Sequence, residues 1–379
     1  MTNSGLTLTR AGDSGPRLLF IEPYANASHR ALLEGLLTHV PARWTVLTLP
    51  GRHFRWRLRG AASFLASEAA GLLREGWDGL ICSSMLNLAE LKGLCPALAA
   101  TPCLVYFHEN QLCYPAPGQA GEEQQERDLF LAFSNLSSAQ AAQVVAFNSA
   151  YHRDEFLSAA RGLLSRLPDA VPAGLVEEIG RKALVLPVPL ETGPAAGLER
   201  EPRGGLLRLL WNHRWSQDKD PEAFFAALKA LAAEGLAFEV AVLGPASGRP
   251  PKVFALARQE LGARLRQWGL VAERREYWRW LFWADVVVST ARQEYQGLSV
   301  AEAVWAGCRP LLPAALVYPT LYPARYLYEP GGLAAALRPL VAEPALARGE
   351  ETRALAEGWT WAARAVGWRQ AVGQLCGPA

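Results

Sequence analysis

The segment Ala284-Asp-Val-Val-Val-Ser-Thr290, with Glu294-Tyr-Gln-Gly-Leu-Ser-Val-Ala-Glu302 just after it, decides the fold class of this chain. The β-branched run predicts a buried parallel strand, Gly297 permits a tight turn, and residues 298–306 have the composition of a helix entering the core. Glu294 therefore lies at the carboxyl end of a strand. In open α/β sheets that edge binds ligands, and the N-terminus of a helix suits a phosphate or diphosphate.

Glu294 and Glu302 have two interpretations on this pattern. Two carboxylates at such an edge could bind sugar hydroxyls at one end of a nucleotide sugar and ribose hydroxyls at the other. Alternatively, Glu294 is an acid on a loop and Glu302 a glutamate near a helix N-terminus, where the helix dipole favours it. The segment by itself leaves both interpretations open.

The composition sets limits on the class of protein. The chain has 379 residues, half of them hydrophobic, so it can bury the cores of two domains. The 38 basic and 36 acidic residues nearly balance, so a nucleic acid or membrane partner would need a local patch. Six cysteines without Cys-x-x-Cys spacing argue against a zinc site or a disulfide scaffold. With neither a signal peptide nor a run of transmembrane length, the sequence predicts a cytoplasmic protein.

Short apolar runs alternate with helix-length segments along the chain. This rhythm predicts an α/β fold, with two doubly wound Rossmann-like domains facing each other across a cleft. We expect an N-terminal domain over residues 1–195, a C-terminal domain over 196–355, and a terminal helix over 356–379 that packs back on the first domain or covers its own. The predicted strands cover residues 18–22, 44–49, 79–82, 103–107, 144–147, 183–186, 206–211, 238–243, 266–268, 286–289 and 309–312.

The segment Trp211-Asn-His-Arg-Trp-Ser-Gln-Asp-Lys-Asp-Pro221 follows the first strand of the second half. Arg214 and Lys219 could neutralise both phosphates of a diphosphate leaving group, although two solvated loop charges would look the same. Asp218 and Asp220 spell Asp-x-Asp, which elsewhere suggests a divalent metal. Here the intervening lysine repels a cation, and an aspartate before a proline predicts a helix cap, so we expect no metal.

Polar residues end the run Leu104-Val-Tyr-Phe-His-Glu-Asn-Gln-Leu112 at the carboxyl end of a first-domain strand. His108 could hydrogen-bond a sugar hydroxyl, while Glu109, Asn110 and Gln111 could orient an acceptor. A lone histidine is more often structural, but four polar residues in succession after a buried strand favour a site.

A basic patch lies in Gly51-Arg-His-Phe-Arg-Trp-Arg-Leu-Arg59. Basic side chains can bind phosphates while an aromatic ring stacks on an unpaired base, a combination that suits an RNA loop. A solvated turn with two core aromatics is the alternative. The patch comprises Arg52, Phe54, Arg55, Trp56, Arg57 and Arg59.

The spacing of Arg214, Lys219, Glu294 and Glu302 resembles that of the retaining family 4 glycosyltransferases, which have the GT-B fold. Further motifs, spread along almost the whole chain, narrow the resemblance to the tRNA-queuosine mannosyltransferases, and the composition resembles a bacterial form. These motifs are Ile21-Glu-Pro-Tyr-Ala-Asn-Ala-Ser-His29, His53-Phe-Arg-Trp-Arg57, Ser83-Ser-Met-Leu-Asn-Leu-Ala-Glu90, Tyr106-Phe-His-Glu-Asn-Gln-Leu112, Trp211-Asn-His-Arg-Trp215, Asp218-Lys-Asp-Pro-Glu222 and Leu316-Val-Tyr-Pro319.

The resemblance implies transfer of mannose from GDP-mannose to queuosine at the wobble position of tRNA-Asp, with retention and without a metal. It implies that Arg214 and Lys219 hold the diphosphate beside Gly297 and Leu298, that Glu294 and His108 bind the transferred sugar, and that Glu302 binds the ribose. The tRNA and its queuosine would meet Ser28, His29, Arg52, Arg55, Trp56, Arg57, Glu109, Asn110 and Gln111.

Two other functions stay open at this point. One is a family 4 transferase that uses another nucleotide sugar or a lipid or polysaccharide acceptor. It would predict a basic amphipathic helix that meets a membrane, where this chain has an arginine-aromatic segment. The other is an RNA-binding protein that has lost catalysis, against which the complete arginine, lysine and glutamate set speaks.

Overall fold

The computed structural model describes residues 5–113, 122–246, 250–348 and 351–377, and for residues 122–128 it describes the backbone alone. The chain divides into two compact units. The first comprises Met1–Pro189 with Arg364–Ala379, and the second comprises Leu190–Ala363. The predicted domain boundaries were residues 195 and 355.

The first unit is a sheet of seven strands in the order β1-β3-β2-β4-β5-β6-β7. β1 is antiparallel to β3, and the other pairings are parallel. The strands are β1 (Thr7–Ala11), β2 (Arg17–Ala25), β3 (Arg43–Pro50), β4 (Gly79–Ser83), β5 (Cys103–Phe107), β6 (Val144–Phe147) and β7 (Ala183–Val185). The helices are α1 (Ala27–His39), α2 (Phe54–Glu68), α3 (Ala70–Leu73), α4 (Leu88–Leu94), α5 (Glu122–Ala141), α6 (Ala150–Leu164) and α7 (Leu175–Arg181).

The second unit is a sheet of six parallel strands in the order β10-β9-β8-β11-β12-β13. Its strands are β8 (Leu207–Asn212), β9 (Phe238–Leu243), β10 (Leu265–Gly269), β11 (Val286–Val288), β12 (Arg309–Pro313) and β13 (Leu327–Tyr328). Its helices are α8 (Pro221–Ala233), α9 (Val253–Leu261), α10 (Arg274–Trp283), α11 (Leu298–Trp305), α12 (Tyr318–Leu321), α13 (Leu333–Ala342) and α14 (Ala354–Glu357). The last helix of the chain is α15 (Trp361–Cys376).

Each sheet has one point where the order of its strands reverses. In the first unit the chain passes from β2 to β3 on one side and then returns to β4 on the other. In the second unit the reversal lies between β8 and β11. Ligands of open α/β sheets bind outside the carboxyl ends of the strands at such a point. The two-domain α/β prediction is confirmed, and each sheet has its own candidate crevice.

All the predicted strands are present, and two further strands were missed. β1 is an edge strand whose side chains are largely exposed, so it lacks the apolar run that marks the others. β13 has two residues. Residues 159–178 contain the end of α6 and the start of α7.

The C-terminal helix α15 contributes to the core of the first unit. Trp368 is buried, its indole N–H donates to the Pro187 carbonyl at 3.2 Å, and its ring lies 5.3 Å from that of Tyr106. The Arg369 guanidinium donates to the carbonyl of His39 at the end of α1.

Within the described parts of the chain, no helix combines the length and apolar character that crossing a bilayer requires.

A buried carboxylate ties the second unit together at the amino end of β11. Asp285 is 2% exposed. Its Oδ2 accepts from the Arg348 guanidinium at 2.7 Å and from the Arg208 backbone N–H at 3.0 Å, while Oδ1 lies 3.6 Å from Arg203 Nε. Charges at this depth require partners, because desolvation of an unpaired ion is costly. Asp285 thereby fixes the start of the unit and the segment after α13.

We expect Asp285→Ala to lower the free energy of unfolding by about 3–5 kcal/mol, because it leaves buried guanidinium groups without their counter-ion. Urea denaturation of the whole chain measures this change. The control is Glu260→Ala, which removes an exposed ion pair with Lys229 and should cost at most about 1 kcal/mol. Equal losses in the two variants would contradict the assignment.

Candidate active site

Two loops meet at the reversal point of the second sheet. The loop after β8 carries Arg214 and Lys219, and the loop after β11 carries Glu294. They are joined by a hydrogen bond from the Thr290 hydroxyl to the Lys219 carbonyl at 2.8 Å. Gly244 lets the first loop pack closely, since a Cβ there would lie 1.9 Å from the His213 carbonyl oxygen. The fold therefore brings together residues that are 75 positions apart in the sequence.

Lys219 is the centre of this cluster. Its Nζ donates to the Gln293 carbonyl at 2.8 Å and to Glu294 Oε2 at 3.1 Å, and it lies 3.5 Å from Asp218 Oδ2. Asp218 also accepts from Arg214 Nη2 at 3.3 Å. Both cations are thus oriented by carboxylates before any ligand arrives. The arrangement can neutralise a diphosphate without first ordering long side chains.

The Glu294 carboxylate is held on both oxygens. Oε1 accepts from the backbone N–H groups of Tyr295 at 3.1 Å and Gln296 at 3.3 Å, while Oε2 faces Lys219. Burial raises the pKa of Glu294, but the Lys219 ammonium and a backbone hydrogen bond from Gly297 outweigh it, so the pKa lies below its usual value. Glu294 is therefore an anion at neutral pH.

Gly297 is the N-cap of α11 and has a conformation that suits glycine. Its φ is +74°, and a Cβ there would lie 3.1 Å from the Tyr318 ring. Leu298 follows as the first residue of the helix, as the sequence predicts. The N-terminus of α11 thus lies in the loop that carries Glu294, and its dipole favours negative charge.

Glu302 is buried on α11 and bound by α10. Its Oε1 accepts from Arg274, and its Oε2 accepts from the Tyr277 hydroxyl at 2.7 Å. Burial lowers the pKa of Arg274, but the Glu302 carboxylate raises it above its usual value overall. Neither partner of Glu302 belongs to the candidate residues predicted from the sequence. Their i, i+3 spacing on a helix after a strand end was the available signal.

The first unit has its own polar cluster at the reversal of its sheet. Glu22 Oε2 accepts from His29 Nδ1 at 2.8 Å, and Oε1 accepts from the Ser83 hydroxyl at 2.9 Å. His29 stacks on His108, with ring centroids 3.9 Å apart. His29 is 1% exposed, so it lies behind His108 and is not the surface tRNA contact we expected. Glu22 was missed, although an acid ending the apolar run 18–21 was a signal.

His108 is the partly exposed member of this cluster. Its ring also makes an edge contact with Tyr106, with centroids 4.6 Å apart. Burial, and then the neighbouring His29 and His152, lower the pKa of His108 well below its usual value. His108 is therefore a neutral imidazole at physiological pH, which can offer a sugar one donor and one acceptor.

One expected acceptor contact has a structural task instead. Asn110 is fully buried, and its Oδ1 accepts from the backbone N–H groups of Leu112 at 3.0 Å and Cys113 at 2.9 Å, so it shapes the loop. Ser28 lies two residues after the cap of α1. The cap is Asn26, whose Oδ1 accepts from the backbone N–H of His29 and from the Ser28 hydroxyl. Glu109 and Gln111 stay partly exposed.

The basic patch comprises Arg52, just before α2, and residues in the first two turns of α2, after the carboxyl end of β3. Arg52 and Arg55 are exposed, and Trp56 is 64% exposed, which is unusual for so large an apolar side chain. Arg57 is partly buried, and burial, followed by the nearby Arg52, lowers its pKa. The patch lies at the same edge of the first sheet as the Glu22, His29 and His108 cluster.

Candidate metal ligands are few in the described residues. Asp220 caps α8, with Ala223 N–H donating to Oδ1 at 3.2 Å, and its Oδ2 accepts from Arg292 at 2.7 Å. This confirms the predicted cap. In the described part of the chain, one group of three side chains has ligand atoms within 4.8 Å of one another, namely Glu22, His29 and His108.

Comparison with known proteins then decides the family. A family model described as tRNA-queuosine alpha-mannosyltransferase N-terminal matches residues 17–190. A Drosophila melanogaster protein named tRNA-queuosine alpha-mannosyltransferase is 36% identical over 330 residues, which cover 83% of this chain and 84% of that protein. The chain belongs to this family. The resemblance seen in the motifs is confirmed. As a member of the tRNA-queuosine alpha-mannosyltransferase family, the chain is a glycosyltransferase.

Solved structures agree on the fold of this member of the family. Sucrose-phosphate synthase from Thermosynechococcus elongatus superposes with a TM-score of 0.69 at 17% identity, over 95% of this chain and 99% of that one. The apo structure of OtsA gives a TM-score of 0.65 at 15% identity, over 96% and 100%. At these identities the likeness shows the fold alone, which is GT-B.

The Lys219 and Glu294 pair predicts a pH-dependent stability. Because the pKa of Glu294 is lowered in the folded state, its contribution is complete above the unfolded pKa of about 4.3 and is lost as the pH falls through the folded value. We expect the difference in unfolding free energy between the wild type and Glu294→Gln to be constant from pH 7 to about pH 5 and to shrink below that. Denaturation curves at several pH values test this, with Glu260→Gln as a control whose effect should be small throughout.

Proposed function

We propose that this chain transfers mannose from GDP-mannose to queuosine at the wobble position of tRNA-Asp, with retention of configuration. The supporting observation is the cluster of Arg214, Lys219 and Glu294 at the N-terminus of α11, in a member of this family. The second unit would bind the nucleotide sugar and the first unit the tRNA. As a tRNA-modifying enzyme it would work in the cytoplasm.

In this proposal the second unit stabilises the leaving diphosphate. Arg214 and Lys219 would face its phosphates, and the N-terminal turn of α11 at Gly297 and Leu298 would add backbone donors. Glu294 would accept hydrogen bonds from hydroxyls of the mannose, and Glu302 from those of the ribose. Arg274 and Tyr277 already fix the Glu302 rotamer, so ribose binding costs little side-chain entropy.

The acceptor hydroxyl would attack on the face that the diphosphate leaves. Glu294 has both oxygens engaged by donors and is paired with Lys219, which suits a hydroxyl acceptor better than a covalent nucleophile. The neutral His108 would bind a sugar hydroxyl near the reacting carbon. The proton of the acceptor would pass to the departing phosphate oxygen, which gains negative charge as the bond breaks.

The first unit would hold the tRNA by its basic patch. Arg52, Arg55 and Arg57 would contact phosphates, and the exposed Trp56 would stack on an unpaired base of the anticodon loop. Glu109 and Gln111 would orient the queuosine diol. Ser28, which bonds to the cap of α1, is partly exposed at the same edge of the sheet and would add a hydroxyl contact.

The first experiment is a transfer assay with the purified protein. We expect a hexose on queuosine when GDP-mannose and queuosine-containing tRNA-Asp are supplied, and none with UDP-glucose or with tRNA that lacks queuosine. Digestion of the tRNA and mass measurement of its nucleosides show the product. Addition from a UDP-sugar would revise the donor, and no addition would refute the acceptor and favour a lipid or polysaccharide.

Replacement of Glu294 by alanine should lower kcat by about 10²–10³-fold, the usual cost of losing one preorganised group that acts on the transition state. The affinity for tRNA should stay unchanged, because Glu294 lies in the second unit. Glu260→Ala is the matched control, since it removes an exposed glutamate of the same unit. Equal loss of catalysis and tRNA binding would contradict the assigned role.

Substitutions in the basic patch should change tRNA binding and leave donor binding intact. Arg52→Ala and Arg55→Ala should each lower the slope of log K against log salt by about one unit, because each removes one phosphate contact. Trp56→Ala should weaken binding by about 1–3 kcal/mol through lost stacking. The control is Arg166→Ala, an exposed arginine at the end of α6. Filter binding over a salt series measures these effects, and wild-type slopes in the patch variants would contradict the interface.

A further inference from the structure

A buried carboxylate lies at the reversal point of the first sheet, where a ligand crevice is expected. Glu22 is 1% exposed near the carboxyl end of β2. It receives three donors: the Tyr24 backbone N–H at 2.8 Å, the Ser83 hydroxyl at 2.9 Å and His29 Nδ1 at 2.8 Å. Such a set suits an acceptor-only carboxylate. Acidic side chains are almost never fully buried unless they are paired.

The contact with Glu22 fixes the orientation and tautomer of His29. Because a carboxylate accepts, Nδ1 of His29 carries the proton. The backbone N–H of His29 is also bound, by the Asn26 cap of α1. The side chain of His29 is therefore held at Nδ1 and its backbone at the N–H, as an imidazole is when a carboxylate orients it.

The face of His29 lies against His108. The two rings are 3.9 Å apart and inclined by only 17°. Tyr106 supports the His108 ring from its edge, and the Asn148 amide donates to the His108 carbonyl at 2.9 Å. His29 is almost fully buried, whereas His108 is partly exposed. Only His108 of this stack is placed to meet a ligand.

We infer that Glu22 and His29 form a buried positioning pair that holds the His108 ring in the orientation needed to bind a sugar hydroxyl. This inference rests on the proposed function for the identity of that sugar. Glu22 and His29 act through His108 and need not touch either substrate. Stacking alone would allow the ring to slide, and the bond between Glu22 and His29 removes that freedom.

A metal ion held by Glu22, His29 and His108 is the competing explanation, and the geometry disfavours it. Both oxygens of Glu22 already accept from donors, one of which is Nδ1 of His29, itself a potential ligand atom. Lone pairs of imidazole nitrogens lie in the ring plane, so two nearly parallel stacked rings do not converge on one ion at about 2 Å.

A double-mutant cycle tests the inference in the full chain. We expect Glu22→Gln to lower kcat for transfer to queuosine-containing tRNA by roughly 10²-fold, the usual effect of a small misplacement near the reacting centre. The dissociation constants for tRNA and GDP-mannose should stay within about twofold of wild type. In a His108→Ala background the same change should cause no further loss, because its effect passes through His108. If Glu22→Gln lowers kcat further in the His108→Ala background, or does not lower kcat on its own, the inference is overturned.

A milder pair of variants covers the case in which Glu22→Gln folds poorly. Ser83→Ala removes one donor to Glu22 and should lower kcat in the same direction, again only when His108 is present. Ser138→Ala is the matched control, since this serine is equally buried but bonds to the backbone of Leu86 and Leu88. Equal effects of the two serine variants overturn the inference.

Nitrogen NMR of the chain labelled at its six histidines separates this inference from the proposed function. We expect His29 to show a protonated Nδ1, and Glu22→Gln to shift the His108 signals. An Nε2-protonated His29, or unchanged His108 signals, overturns the pair even if mannose transfer is intact. Absence of transfer by wild type with these NMR results intact refutes the proposed function instead. Transfer abolished by a chelator and restored by Zn²⁺ or Mn²⁺ in wild type, but not in Glu22→Gln, overturns the inference in favour of a metal.

Discussion

Parallel strand pairing is the constraint on which the rest of this structure depends. Each strand must be followed by a crossover, so the carboxyl ends of the parallel strands of one sheet lie at one edge. Where the strand order reverses, two crossovers leave in opposite directions and a crevice opens between them. β8 and β11 create this point in the second unit, and β2 and β4 create it in the first. The loops that carry Arg214, Lys219 and Glu294 follow β8 and β11, and Glu22 and Ser83 lie on β2 and β4.

Charged groups at both crevices already have hydrogen-bond partners inside the protein before a substrate arrives. In the second unit Lys219 lies among Glu294, Asp218 and a carbonyl oxygen, and in the first unit Glu22 is saturated with donors. Preorganised groups of this kind do not need to reorient as charge develops, which is the main advantage of an active site over water. In the proposed function, the fold would supply catalysis mostly as fixed geometry.

The sequence predicts well the features whose causes are local. The apolar runs located the parallel strands, and the aspartate-proline pair located the cap of α8. The sequence predicts poorly the features that depend on contacts between distant residues. Asn110 looked like an acceptor contact because it follows a strand, yet its side chain turns inward to bond the backbone of its own loop. Glu22 and Arg274 passed unnoticed because their partners come from other elements of the sheet or helix layer.

The return of α15 to the first unit has a consequence for how the chain is made. Trp368 fills part of the core beside Tyr106, and Leu375 lies next to Gly79 of β4. The first unit to leave the ribosome thus lacks a piece of its interior until the final helix has emerged. The second unit, which is continuous in sequence, has all of its own residues earlier. Synthesis from the N-terminus therefore completes the later half of the enzyme before the earlier one.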